Sequence, residues 1–338
     1  MPTYKVAVLG AAGAVGQEVL RQLHERNFPV GELVLLATSR SAGHKVRWRG
    51  NDYTIAEATP DSFEGVDVAF FAATTGASKE LGPEAVRRGA VVIDKSNAFR
   101  MDPKVPLAVP EVNPDAIRGH KGIIASPNCS TIQMVVALKP IHDAARLKRV
   151  VVSTYQSVSG TGREAMDELR DQTGQALRGE APARSVYPHQ IAFNLIPQID
   201  SFDELGYTGE EMKMTNETRK IFDLPDLPVA ATTVRVPVFI SHSESVLVET
   251  ERKLTAAQAR EILAKAPGIV VVDEPKKGIY PMPVDAAGRD EVFVGRIRED
   301  ISSPNGLHLW VVSDNLRKGA ATNAVQIAEF VIASDLLL

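Results

Sequence analysis

Cys129 is the only cysteine in the 338 residues, and it lies in the segment Ser126-Pro127-Asn128-Cys129-Ser130-Thr131. Apolar residues at helical spacing follow it, so we predict a helix that begins near Ser130 or Thr131. The N-terminus of a helix presents unpaired N–H groups and a partial positive charge, and both favour a thiolate. Cys129 is therefore a candidate nucleophile. The alternative is a small buried hydrophobic residue, the usual role of a solitary cysteine.

A second chemical signal is a glycine turn close to the N-terminus. The β-rich run Tyr4 to Leu9 leads into this turn, and a helical pattern through Leu23 follows. Strand, glycine turn and helix in this order are typical of dinucleotide binding, with the pyrophosphate at the helix N-terminus. The spacing is G-x-x-G-x-x-G, with alanine where the commoner fingerprint has its second glycine. The candidate cofactor-binding residues are Gly10, Ala12, Gly13, Ala14, Val15 and Gly16.

The residues after the next predicted strand, Leu33 to Ala37, indicate which dinucleotide binds. They are Thr38, Ser39, Arg40 and Ser41. An enzyme that selects NAD usually has a carboxylate there, to bind the ribose 2′-hydroxyl. Hydroxyl groups and a guanidinium suit a 2′-phosphate instead, so we predict NADP. The alternative is that Arg40 is a solvated loop charge.

The remaining predicted strands of this half are short and apolar, as in a buried parallel sheet: Val66 to Ala73, Val91 to Asp94 and Ile123 to Ala125. Ligands of open α/β sheets bind beyond the carboxyl ends of the strands. Thr74, Gly76, Asn97 and Arg100 follow such ends and are candidates for the mouth of the site, with Thr74 and Gly76 as cofactor-binding residues. Cys129 does so too, so we expect it on the same rim as the glycine turn.

After the helix that follows Cys129, the predicted pattern of secondary structure changes. Arg149 to Tyr155 is a predicted strand, Arg163 to Leu177 a helix, and several further strands follow with few helices between them. The fold class is therefore α/β, with an N-terminal Rossmann-like dinucleotide-binding domain and a second α+β domain on a mainly antiparallel sheet. The predicted domains are 1–130 plus 318–338 and 131–317, because the C-terminal helix should pack on the first domain.

Composition limits the possible functions. Lys and Arg number 38 and Asp and Glu number 42, a net charge of −4, and no block of like charge occurs. We therefore predict no nucleic-acid or membrane partner and no metal site. One cysteine excludes an internal disulfide and suits a reducing compartment. The first ten residues lack the plan of a signal peptide, so we expect a cytoplasmic protein.

Five segments, taken in chain order, resemble those of the aspartate-β-semialdehyde dehydrogenase family: Gly10 to Gly16, Ser126 to Thr131, Gln156 to Gly160, Glu210 to Lys213, and Arg235 to His242. Each is weak alone, but together they are specific and span nearly the whole chain. N-Acetyl-glutamyl-phosphate reductases, which are related, usually have glycine directly before the cysteine, where this chain has Asn128.

The resemblance implies NADP-dependent reductive dephosphorylation of L-aspartyl-4-phosphate to aspartate semialdehyde. This reversible step leads toward diaminopimelate, lysine, methionine, threonine and isoleucine. A Cys129 thiolate would displace phosphate to form a thioester, which hydride then reduces. His242 is implied as the general acid–base, since imidazole titrates near neutrality. An ordinary surface histidine is the alternative, and it is the one we favour for the other six histidines.

The resemblance also implies the substrate contacts. Arg235 would bind the α-carboxylate, Glu210 the ammonium group, and Arg100 and Lys213 the phosphate. Three further roles follow from it: Asn128 assists at the phosphate, Gln156 orients the acyl group, and Ser159, Gly160 and Asn315 contact the cofactor. Without the resemblance, Glu210 and Lys213 would be a solvated i, i+3 helix pair.

Other readings remain open at this point. Another acyl-phosphate or acyl-CoA reductase, such as a malonyl-CoA reductase, would keep Cys129 and His242 but have less use for Glu210. A non-catalytic NADPH-sensing protein would keep the fold alone. The β-rich second half is predicted to form a subunit interface, giving a homodimer or a tetramer.

Overall fold

A computed structural model describes residues 2–338, and the chain divides into two compact units. Unit 1 comprises residues 1–128 and 320–338, and unit 2 comprises residues 129–319. Each unit contains one six-stranded sheet.

The described residues form fourteen strands and eight α-helices. The strands are β1 (Tyr4–Leu9), β2 (Val30–Ala37), β3 (Lys45–Trp48), β4 (Asn51–Thr54), β5 (Ala56–Glu57), β6 (Val68–Phe71), β7 (Val91–Asp94), β8 (Ile123–Ala125), β9 (Leu147–Gln156), β10 (Val229–Arg235), β11 (His242–Thr250), β12 (Ile269–Val271), β13 (Val292–Glu299) and β14 (Gly306–Ser313). The helices are α1 (Ala14–Glu25), α2 (Thr75–Arg87), α3 (Cys129–Ala145), α4 (Arg163–Leu177), α5 (Gly209–Phe222), α6 (Ala256–Lys265), α7 (Pro283–Ala286) and α8 (Thr322–Ala333).

The sheet of unit 1 is wholly parallel, in the order β5-β2-β1-β6-β7-β8. Its strands are nearly continuous apolar runs, because helices cover both faces of such a sheet. α1 and α8 share one core cluster with β1, β2 and β6. The prediction that the C-terminal helix packs on the first half of the chain is confirmed.

The sheet of unit 2 has the order β10-β9-β11-β14-β13-β12, with parallel pairs at its two edges and antiparallel pairs between. Residues of β9 and β11 alternate between its two faces. Even-numbered residues, among them Gln156 and His242, lie on the buried face, which carries α3, α5 and α6. This confirms the predicted fold class.

Two predicted elements need correction, and two helices were not predicted. The sequence pattern predicts one strand over 229–240 with His242 near its end, but β10 ends at Arg235 and His242 begins β11. Pro237 explains the early end, since proline cannot donate to a ladder. Helices α5 and α6 were not predicted as elements, and the long C-terminal helix is shorter, after an irregular turn at Arg317–Ala321.

Candidate active site

Cys129 and His242 meet within unit 2. Cys129 is the first residue of α3, so its thiol lies in the first helical turn, as predicted. Its Sγ is 3.3 Å from His242 Nε2, and the His242 side chain is fully buried. A thiol within hydrogen-bond reach of an imidazole, at the positive end of a helix, is the arrangement expected of an activated nucleophile.

Ser157 contacts the other nitrogen of the His242 imidazole, Nδ1, with two groups. The Ser157 backbone N–H lies 3.0 Å from His242 Nδ1 and donates to it when Nδ1 carries no proton. Ser157 Oγ is also 3.0 Å from Nδ1 and can accept a hydrogen bond from it when Nδ1 carries a proton, which leaves Nε2 to exchange a proton with the sulfur. Nδ1 therefore has a partner in both protonation states, as a group that gives and takes protons requires.

The Asn315 side chain holds this arrangement in place. Its Oδ1 accepts hydrogen bonds from Ser157 Oγ, Ser159 Oγ and the Ser241 backbone N–H, each at 3.0 Å. All these groups are buried. Ser159 and Asn315, which were predicted as cofactor contacts, thus belong to the hydrogen-bond network that supports His242.

Gln156, Glu210 and Lys213 form a second group on the same side of the sheet. Gln156 Nε2 donates to Glu210 Oε1 at 3.1 Å, and Lys213 Nζ lies 3.3 Å from Glu210 Oε2. Burial lowers the pKa of Lys213, but Glu210 and Asp200 outweigh it and raise that pKa above its usual value. Only 5 % of Glu210 is exposed, so the alternative of a solvated helix pair is wrong.

Arg235 ends β10 beside these groups. One guanidinium nitrogen donates to the Ser157 carbonyl at 2.7 Å. Its Nε is buried and has no hydrogen-bond partner among residues 2–338. A buried guanidinium with an unsatisfied donor suits a carboxylate ligand.

Gly160 lies where any side chain would obstruct these groups. A Cβ added there would be 3.0 Å from an Arg235 guanidinium nitrogen and 3.3 Å from His242 Cε1. Gly319 has a similar role, since its Cβ would be 3.0 Å from Cys129 Cβ. Both glycines keep space around the reactive groups.

We expect Gly160→Ala to reduce kcat/KM by about 10- to 100-fold, because a small displacement of Arg235 or His242 disturbs reacting geometry. The measurement is steady-state kinetics of the purified protein with the substrate that the family resemblance implies, aspartate semialdehyde. Gly119→Ala is the matched control, since a Cβ there meets nothing within 4 Å. Unchanged kinetics of Gly160→Ala would show that this clearance is unimportant.

The glycine turn of unit 1 has the geometry that a dinucleotide needs. Gly10 has φ +85°, and a Cβ on it would be 2.2 Å from the Ala72 carbonyl oxygen. A Cβ on Gly16 would be 2.2 Å from the Gly10 carbonyl oxygen. Gly13 caps α1, and no side chain caps the first-turn N–H groups. The turn therefore leaves backbone donors available for a pyrophosphate.

The other predicted residues of unit 1 lie at or near the ends of its strands. Thr38 follows β2 and precedes a short 3₁₀ turn of Ser39, Arg40 and Ser41, in which Arg40 is exposed. Thr74 caps α2, and Gly76 is in its first turn. Arg100 is buried and donates to the Lys95 carbonyl at 2.7 Å, while Asn128 is buried next to Cys129.

Sequence reasoning missed several residues that complete the arrangement. Ser157 lay inside a quoted motif, yet no role was given to it. Asp200 was not considered, although its carboxylate accepts from Lys213 Nζ at 2.9 Å and the Lys213 hydrogen bond lowers the pKa of Asp200. Neither pairing has a sequence signal. Ser157 and His242 are 85 residues apart, and Asp200 lies 13 residues before Lys213, outside the helix that carries the lysine.

Residues 2–338 contain neither a membrane-spanning helix nor a cluster of metal-ligating side chains. No helix there is long and apolar enough to cross a bilayer. No group of three or more His, Cys, Asp or Glu in that range could hold a metal ion.

Comparisons with known proteins identify both halves of the chain. A family model described as "Semialdehyde dehydrogenase, NAD binding domain" matches residues 5–120. A second, "Semialdehyde dehydrogenase, dimerisation domain", matches residues 138–318. These matches confirm the family that the sequence motifs resemble.

Relatives and solved structures match over nearly full length. Aspartate-semialdehyde dehydrogenases of Aquifex aeolicus and Bacillus subtilis are each 55 % identical, over 99 % and 96 % of both chains respectively. The crystal structure of aspartate semialdehyde dehydrogenase II from Vibrio cholerae is 49 % identical, with a TM-score of 0.96 over 98 % of this chain and 99 % of that one. The same enzyme complexed with ASA also has a TM-score of 0.96, at 48 % identity and the same coverage. A Candida albicans enzyme with NADP is 26 % identical, with a TM-score of 0.78 over 99 % of this chain and all of that one.

Proposed function

The chain belongs to the semialdehyde dehydrogenase family, among the aspartate-semialdehyde dehydrogenases, and we propose that it reduces L-aspartyl-4-phosphate to aspartate 4-semialdehyde with release of phosphate. The contact of 3.3 Å between Cys129 Sγ and His242 Nε2 carries this proposal. The reaction is reversible and belongs to the biosynthesis of lysine, methionine, threonine, isoleucine and diaminopimelate. A cytoplasmic location is part of the proposal, since the Cys129 thiol must stay reduced to act.

Cys129 and His242 have different roles in the reaction: one is the nucleophile and the other is the general acid–base. The Cys129 sulfur attacks the acyl carbon, a C–S bond forms, and the C–O bond to phosphate breaks. His242 Nε2 takes the thiol proton in this step. After reduction of the thioester, His242 gives that proton to the new oxyanion. It recovers the proton when the C–S bond breaks and the aldehyde leaves. Ser157 keeps Nδ1 satisfied throughout.

Charged groups of unit 2 would hold the substrate. Arg235 has an unsatisfied Nε for the α-carboxylate, and Glu210 offers a buried carboxylate for the ammonium group. Lys213 stays charged, because its two carboxylate partners raise its pKa, and it can bind phosphate. The family resemblance adds Arg100 and Asn128 as phosphate ligands. Gln156, which donates a hydrogen bond to Glu210, would orient the acyl group beside the thiol.

NADP fits the glycine turn of unit 1. The turn has backbone donors, no side-chain cap and no room for a Cβ at Gly10 or Gly16. NADPH, when bound, supplies the hydride that reduces the thioester. We assign unit 1 (1–130 plus 318–338 in the predicted bounds) to the cofactor and unit 2 (131–317) to catalysis and dimerisation.

We expect Arg40→Glu to raise the KM for NADP by roughly 10- to 100-fold, because one charge-assisted contact to the 2′-phosphate is lost and a repulsive charge replaces it. The KM for NAD should change little. The measurement is kcat/KM with each cofactor. Equal use of NAD and NADP by the unaltered enzyme would refute this role for Arg40.

A homodimer through the exposed face of the unit 2 sheet is the second part of the proposal. Tyr155 and Trp310 contact each other on that face in a tilted arrangement, with ring centroids 5.4 Å apart. Next to them a cavity of about 350 Å³ is lined by Tyr280, Met282 and Arg298, among others. A soluble enzyme rarely leaves such a surface uncovered. Light scattering after size exclusion would distinguish a dimer from a monomer or a tetramer.

A substrate panel tests the activity. Aspartate semialdehyde, glyceraldehyde 3-phosphate and malonate semialdehyde are each assayed with NADP or NAD, with and without phosphate. Phosphate-dependent NADP reduction with aspartate semialdehyde alone supports the proposal. Activity with another aldehyde would favour a different reductase of the same scaffold, and no activity would favour an NADPH-sensing protein.

A further inference from the structure

Glu244 is a buried acid that the proposed chemistry does not use. It lies on β11 two residues after His242, on the same face of the strand. Its side chain is fully buried, and neither carboxyl oxygen has a hydrogen-bond partner among residues 2–338. A buried carboxylate without donors is strongly unfavourable, so this residue needs an explanation.

Gln133 connects Glu244 to the two reactive side chains. It lies on α3 one turn after Cys129, and its Nε2 donates to the His242 carbonyl at 3.4 Å. Its side chain also lies against Glu244. Gln133 Oε1 is buried and has no partner in the described part of the chain. The amide therefore bridges the helix of the nucleophile and the strand of the base.

The protonation state of Glu244 follows from these contacts. Gln133 Oε1 and both carboxyl oxygens of Glu244 are buried acceptors without a partner in the described part of the chain, so a proton on Glu244 would satisfy two of them at once. An ionised Glu244 would place two acceptors against each other, whereas a protonated one can donate. Burial raises the pKa of Glu244 well above its usual value, and it outweighs the N–H group of the nearby Gln133 amide, which lowers that pKa.

The strand neighbours of Glu244 carry no compensating charge. Its neighbours across the sheet are Thr154 on β9 and Val311 on β14, both uncharged. The titratable groups nearest along the same two elements are His242 and Cys129. A negative charge at Glu244 would therefore disfavour a thiolate at Cys129, since like charges raise each other's cost of ionisation.

Resting on the proposed function, we propose that Glu244 is a neutral carboxylic acid whose O–H donates to Gln133 Oε1, and that this pair positions His242 against Cys129. Glu244 and Gln133 touch no substrate in this scheme. They act by fixing the strand of the base to the first turns of the helix that carries the nucleophile.

The direction in which stability changes with pH distinguishes a neutral Glu244 from an ionised one. Below the usual pKa of 4.5, Glu244 is protonated in both the folded and the unfolded chain. As the pH rises above that value, the unfolded chain ionises while the folded chain does not, so the wild type loses stability. The neutral isostere Glu244→Gln removes this loss.

We expect the Tm of Glu244→Gln to exceed that of wild type, with a gap that widens between about pH 5 and about pH 8 to roughly 2–6 °C. Glu249→Gln is the matched control on the same strand, since Glu249 is partly exposed and paired with Arg149. It should show no widening gap. An infrared band of a protonated carboxyl group should be present in wild type near pH 8 and absent from Glu244→Gln.

Positioning is tested separately from stability. Gln133→Leu should slow alkylation of Cys129 by iodoacetamide and lower kcat about 10-fold, with the KM for NADP unchanged. Glu244→Gln should keep both rates within about threefold, because an amide can also donate to Gln133 Oε1. Equal losses of kcat in Glu244→Gln and Gln133→Leu would overturn the positioning role.

The infrared band and the Tm series do not need turnover, so they separate this inference from the proposed function. Absence of the band, or a Tm gap that does not widen, overturns the inference while the activity stands. A wild type that shows the band but no phosphate-dependent turnover contradicts the proposed function and leaves the neutral acid in place.

Discussion

Replacement of Cys129 by alanine is expected to reduce phosphate-dependent turnover by roughly 10⁴- to 10⁶-fold, because no other group in the site can form the thioester. Residual activity would come from binding and positioning alone. Folding should survive, since Cys129 is at the first turn of α3 and only partly buried. The measurement is kcat/KM with aspartate semialdehyde, NADP and phosphate.

A chemical experiment on the unaltered enzyme checks the same point. One equivalent of iodoacetamide on Cys129 should abolish turnover, and mass spectrometry can locate the label because the chain has no other cysteine. NADP binding, measured by fluorescence, serves as the control and should persist in Cys129→Ala. Turnover that survives the substitution would reject the thioester mechanism.

The nucleophile was predictable because its signal is local. The apolar spacing after Cys129 predicts a helix, and the helix begins at Cys129 itself. The parallel sheet and the glycine turn were equally accessible, since continuous apolar strands and a G-x-x-G-x-x-G spacing are visible in the sequence. For these features, the secondary structure that the local sequence predicts is enough to place the functional residues.

Helix α5 shows why other parts were not predictable. Most of its buried residues are polar, including Glu210 and Glu217, so its hydrophobic periodicity is weak. The burial is stabilised by distant partners: Glu211 accepts from the Thr233 backbone N–H, and Glu210 accepts from Gln156. Such pairings depend on the tertiary fold, and only the family resemblance pointed to Glu210 and Lys213.

The position of His242 could not be predicted for the same reason, because it depends on the tertiary fold. Pro237 ends β10 early, and Ser241, with φ +79°, turns the chain into β11. His242 therefore starts a strand whose even-numbered residues face α3. The register between β11 and β9 is a long-range property, and so is the bond from Ser157 to Nδ1.

Substitution of His242 is expected to have the second-largest effect. His242→Gln should lower kcat by about 10²- to 10⁴-fold, the usual contribution of a general acid–base. Its effect on the KM for NADP should be small, because the imidazole faces the sulfur. The N–H group at 3.3 Å also stabilises the thiolate, so alkylation of Cys129 by iodoacetamide should require a higher pH in this variant.

His142→Gln is the matched control, since His142 is buried within unit 2 and its Nε2 lies 3.1 Å from an Arg146 nitrogen, outside the proposed chemistry. It should leave the pH dependence of alkylation unchanged. Comparing the two variants separates loss of a proton donor at the sulfur from general damage to the fold. If both shifted the alkylation profile equally, His242 would have no special relation to the thiol. The acid–base role would then need another residue.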